Sequence, residues 1–150
     1  MSKHSQRFLL VATAVYLVLG LGAGLVYREL TKNAGLAAGR PLQLGVLHTH
    51  LLTLGFLVGL IVLVLDRVFA LGHHRLFPVF FWVYNAGVVL SAAMMAVHGL
   101  TELGGGEVTA ATAGIAGMGH IALTIGLVLL VVMLGQAVWT AHPQEREQVR

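Results

Sequence analysis

The residues in this chain best equipped for chemistry are its histidines. There are eight among 150 residues, and four of them, His48, His50, His98 and His120, fall inside or at the edge of long apolar stretches. Ionisable groups are costly in hydrocarbon; they face a bundle interior or a cavity and mark functional sites. Neutral imidazole ligates haem iron, copper and zinc. The other four histidines, His4, His73, His74 and His142, lie in tails and in a basic loop, where solvated or headgroup-facing side chains are expected. Cysteine is absent, which removes disulfides, thiolate ligands and cysteine nucleophiles.

The elements that position these imidazoles follow from composition. Hydrophobic residues make up 57% of the chain and charged residues only 10%, and the mean hydropathy is +0.87. Nine basic and six acidic residues cannot coat a water-facing globule, for which about 25% charge is usual. A soluble enzyme and a disordered chain are both excluded. With about 20 apolar residues per span, four runs qualify: residues 8–27, 44–65, 76–98 and 110–139. The expected fold is all-α, a single four-span integral-membrane helix bundle over residues 1–150. The first run exceeds the ~7–15-residue core of a signal peptide, and no small-x-small cleavage site precedes Arg28-Glu29, so an anchored first span is expected.

Four spans put Lys3, Arg7, Arg67, Arg75, Arg146 and Arg150 on one side, and Arg28, Lys32 and Arg40 on the other. The positive-inside bias places both termini in the cytoplasm. The basic pI of about 9.8 is therefore a topology signal and not a nucleic-acid footprint. Gly20-x-x-x-Gly24 and Gly55-x-x-x-Gly59 let helices approach closely within the bundle or across a dimer.

This topology gathers the four intramembrane histidines in the outer half of the bilayer, from three helices. At ~1.5 Å per residue, His48 lies roughly 6 Å below the start of its span, His50 roughly 9 Å and His120 roughly 12 Å. His98 is the shallowest. His48 and His50 are ~200° apart around a regular helix, so one small ion cannot take both. Two sites or a dimer interface follow. Around His120, Ala113, Ala116, Gly117 and Thr124 share its face, with Gly114 and Gly119 nearby; such small residues open a slot for a flat ligand. His98 shares its stripe with Gly87, Ser91 and Met94. Arg28, with Lys32 and Arg40, is placed to pair with haem propionates.

Three segments carry a resemblance: Tyr27-Arg28-Glu29-Leu30-Thr31-Lys32, Leu47-His48-Thr49-His50-Leu51, and Gly114-Ile115-Ala116-Gly117-Met118-Gly119-His120. They resemble the signature of a small four-span bacterial membrane family, a domain of unknown function, over about residues 8–138. The resemblance implies the architecture and a bacterial inner (cytoplasmic) membrane, and it brings no activity. More distantly, His48-Thr49-His50 is similar to the His-x-His of one helix in subunit I of haem–copper oxidases, where the two histidines ligate different haems on opposite helix faces. This implies a separate haem iron for each of His48 and His50. The copper-site histidines and the His–Tyr pair of that subunit have no counterpart here, so oxygen reduction is not implied.

The leading expectation is a haem b protein for electron transfer or diatomic gas binding, a homodimer with an unidentified redox partner. His120 would pair with His48 or His50, and the leftover imidazoles, His98 among them, would serve a second haem. The alternative is a copper or zinc site for metal handling, with Met94 and Met95 as soft supplementary ligands. Remaining classes are a passive membrane component, and a proton conductor for which Glu29, Glu102 and Glu107 are too peripheral.

Overall fold

The computed structural model describes residues 3–35 and 42–145, the side chains of 3–5 and 140–145 excepted. Four long helices account for nearly all of it. They are α1 (Lys3–Asn33), α2 (Gln43–Phe69), α3 (Phe77–Leu103) and α4 (Ala110–Glu145). All four are long and apolar enough to cross a membrane, so the chain is a multi-pass membrane protein. Each helix outruns its apolar run at one end or both. The backbone gains nothing by unwinding at the hydrocarbon boundary, because every carbonyl left without an amide would need another donor.

Small residues decide which faces meet. Gly20 takes the Leu52 side chain and Gly24 takes the His48 ring, while Gly55 lies against Tyr16 and Gly59 against Thr13. Both glycine pairs thus close the α1–α2 contact within one chain and are not a dimer seam. On the other side of the bundle, a Cβ at Gly87 would come within 2.7 Å of the Leu123 backbone nitrogen, and one at Gly126 within 2.9 Å of Tyr84. These contacts seat α4 along α3, its principal neighbour. The core between them holds Phe80, Tyr84, Val88, Leu123 and Met133, all buried.

α2 is not uniform. Gln43–His50 is α-helical, Leu51–Leu57 is π-helical, and Val58–Phe69 returns to α. The Tyr84 hydroxyl donates to the Leu54 carbonyl at 2.9 Å in the middle of the widened segment. A side-chain donor on a ladder carbonyl is a recognised cause of such a departure. The Tyr16 hydroxyl donates to Asn85 Oδ1 at 2.8 Å, so α1 and α2 are each tied to α3 by a tyrosine.

Asp66, read from sequence as the end of a span, is instead 1% exposed and lies within α2. It accepts the Gly72 amide at 2.6 Å and the Gln6 side-chain amide at 3.2 Å, fastening the α2–α3 turn to the start of α1. Ala70, which ends α2, has φ 52° and ψ 38°, a left-handed conformation that costs an L-residue about 1–2 kcal/mol. Ala70→Gly should raise thermal stability in detergent by up to about 1 kcal/mol, once the looser unfolded chain is counted. Asp66→Ala should lower it by about 1–3 kcal/mol, since two donors lose their acceptor. Thermal unfolding of the two purified variants checks both signs.

Candidate functional site

His50, on the last α-helical turn of α2 before the π segment, faces His120, ten residues into α4. Their ring centroids are 6.5 Å apart with planes at 74°, an edge-on arrangement. Each Nδ1 lies against a carbonyl of its own helix four residues earlier: His50 against Val46 at 3.2 Å and His120 against Ala116 at 3.0 Å. A carbonyl oxygen only accepts, so each Nδ1 carries the proton and each Nε2 presents its lone pair. This is the arrangement that fixes tautomer and orientation in metal-ligating histidines.

Contacts within the bundle leave this pair open to a ligand. His50 is half-buried and His120 exposed. Gly114 and Gly117 have nothing within 4 Å of where a Cβ would sit. Beside His120 there is thus a smooth, unoccupied face. Gly119, grouped from sequence with that face, belongs to the opposite one: its Cβ would come within 2.9 Å of the Ser91 backbone nitrogen. One residue along a helix is a ~100° rotation, enough to separate the packed side from the open side.

The other expected ligands go elsewhere. His48 turns away from His50, its ring on Gly24 of α1, with a buried Nδ1 that has no hydrogen-bond partner among the described residues. The opposed faces expected of His48-Thr49-His50 are therefore found, and it is His50 that meets His120. His98 pairs with Glu102, Nε2 to Oε1 at 3.5 Å, while the other Glu102 oxygen accepts the first amide of α2, Gln43, at 3.2 Å. The Gly87 and Ser91 of its stripe are spent on α4 packing. His98 thus helps hold a helix end and is not brought to His50 and His120. The Arg28 side chain is 73% exposed and leans on Glu29 at 3.8 Å, as does Lys32 at 4.0 Å. Arg40 lies outside the described residues. Among those described, no three His, Asp or Glu side chains gather to hold a bare ion.

The chain belongs to the DUF2871 family. That family, described as a protein of unknown function, matches residues 6–137, a range that holds all four candidate histidines. No curated protein and no solved structure matches the chain. These comparisons show no similarity to haem–copper oxidases.

Two polar roles escaped the reading of the sequence. His74, expected to be solvated, accepts the Leu76 amide on Nδ1 at 3.1 Å and meets Gln136 Oε1 through Nε2 at 2.8 Å. It ties the turn ahead of α3 to α4. The Val46 and Ala116 carbonyls, which aim the two rings, leave no side-chain signal at all.

The two glycines flanking Met118 give a sharp contrast. Gly117→Leu should leave thermal stability unchanged or slightly higher, since leucine is the better helix former by roughly half a kcal/mol or more. It should still block a flat ligand from the His120 face. Gly119→Leu should destabilise the protein by driving α4 off Ser91. Melting curves of both variants check the assignment of faces.

Proposed function

We propose that this protein binds haem b between His50 and His120 and passes single electrons within the bacterial cytoplasmic membrane. The observation that carries the reading is the facing pair of imidazoles from two helices, each with its proton committed to a backbone carbonyl. A porphyrin supplies four equatorial nitrogens of its own, so two protein ligands complete the iron's coordination. A bare zinc or copper ion asks for three or four protein donors, a number the described residues do not assemble. The donor set thus favours haem over the metal-handling alternative.

Bound haem would supply one-electron redox chemistry. The chain's own residues hold it and set its surroundings. Val46 and Ala116 keep the ring tautomers, and the Gly114–Gly117 face leaves room beside His120. With His50 and His120 both holding the iron, electron transfer would be favoured over binding a diatomic gas. The exposed α4 face would leave one edge of a flat ligand against lipid, which a second copy of the chain would cover. A homodimer is therefore part of the proposal, as is the orientation with both termini inside, which rests on the Lys and Arg asymmetry.

Absorption spectroscopy of the detergent-purified protein, expressed with added haem precursor, tests it. The expected result is a Soret band with sharp reduced α and β bands. His50→Ala and His120→Ala should each lower haem per protein severalfold, whereas His98→Ala should retain most of it. Wild-type protein that is folded, supplied with haem and colourless would overturn the reading.

A further inference from the structure

The end of the bundle that bears the N-terminus, remote from the histidine pair, holds a second feature. A groove of about 800 Å³ runs between α1 and α2, lined by Gln6, Arg7, Leu10, Leu63, Val64, Arg67 and Val68. Its layout is stratified. Leu10 lies one turn further into the membrane than Arg7 on α1, and Leu63 and Val64 lie one turn further in than Arg67 on the antiparallel α2. Two guanidiniums stand at the mouth and aliphatic walls stand below them, at the level of acyl chains.

Charge is unbalanced at this mouth. Asp66 is the described acid nearest to it in sequence, yet it is 1% exposed and both its oxygens are engaged, by Gly72 and Gln6. Of the glutamates whose side chains are described, Glu29, Glu102 and Glu107 all belong to the opposite end of the helices. Among the described residues neither Arg7 nor Arg67 has an ion-pair partner. Guanidinium binds phosphate through paired, charge-assisted hydrogen bonds, and basic pockets between membrane helices hold anionic lipid headgroups. We infer that this groove is a binding site for an anionic phospholipid, with Arg7 and Arg67 on the phosphate and one acyl chain along Leu10, Leu63 and Val64. Lipid seated there would clamp α1 to α2 from the outside, at the end where Gln6 and Asp66 already join them inside. The assignment is independent of the haem reading.

Native mass spectrometry of the full-length protein in detergent, titrated with phosphatidylglycerol or phosphatidylcholine, tests it. Wild-type protein should retain phosphatidylglycerol about 25-fold better, the equivalent of ~2 kcal/mol for two basic groups at ~1.4 kcal/mol per tenfold. Arg7→Gln with Arg67→Gln should abolish the preference while phosphatidylcholine binding and melting temperature stay unchanged. Arg75→Gln, a loss of like charge at the same end but outside the groove, should leave the preference intact. Equal retention of the two lipids by wild type would overturn the proposal, and so would a preference surviving in the double variant. An Arg75→Gln loss as large as that of the groove arginines would show diffuse charge. Displacement of phosphatidylglycerol by millimolar inorganic phosphate would show an anion site that does not read lipid. Either result would also overturn it.

Discussion

The rotation of each helix about its own axis is set where a glycine lets a neighbour's side chain reach its backbone. Gly55 on Tyr16 and Gly59 on Thr13 turn one face of α2 toward α1; Gly87 on Leu123 and Gly126 on Tyr84 turn one face of α4 toward α3. Lipid offers no hydrophobic drive to bring apolar helices together, so close packing at small residues carries the association. Once those faces are committed, the side chains on the others have no choice of direction. His48, on the glycine stripe of α2, is turned onto α1, and His50 is turned away. His120, one residue past the packed Gly119, is left facing out.

The same constraint explains the polar chemistry around it. Without water in the hydrocarbon, a polar side chain bonds its own helix or the next one. The two facing histidines use their own helices' carbonyls, which leaves Nε2 as the atom available to an outside partner. Tyr84, Tyr16 and Asn85 bond across helices instead and hold α1 and α2 on α3. At the terminus-bearing end, Asp66 does the same for the α2–α3 turn. A functional pair aimed by backbone and a scaffold tied by side chains are thus two outcomes of one shortage.

Much of this was legible in residue order. Span number followed from apolar run length, and the opposition of His48 and His50 followed from two residues of helical rotation. The grouping of Gly119 with His120 was misleading because both lie near a common face by periodicity, and only contact with Ser91 shows on which side the packing falls. The depth of His98 is readable from sequence, while its neighbour is less so. Its partner Glu102 lies four residues along the same helix, a spacing that an i,i+4 reading would have found. The apolar run stops at residue 65 because Asp66 follows it, although the helix itself continues to Phe69.

What the sequence by itself determined is the number of helices, the depth of the four intramembrane histidines and the direction of each around its own axis relative to its helix neighbours. These are local properties, set by run length and by the helical repeat. What only the tertiary structure decided is which imidazole meets which, and that Arg7 and Arg67 frame one groove. Those depend on how whole helices are rotated against one another. That rotation is fixed by glycine contacts between residues far apart in the chain, a relation that no local periodicity encodes.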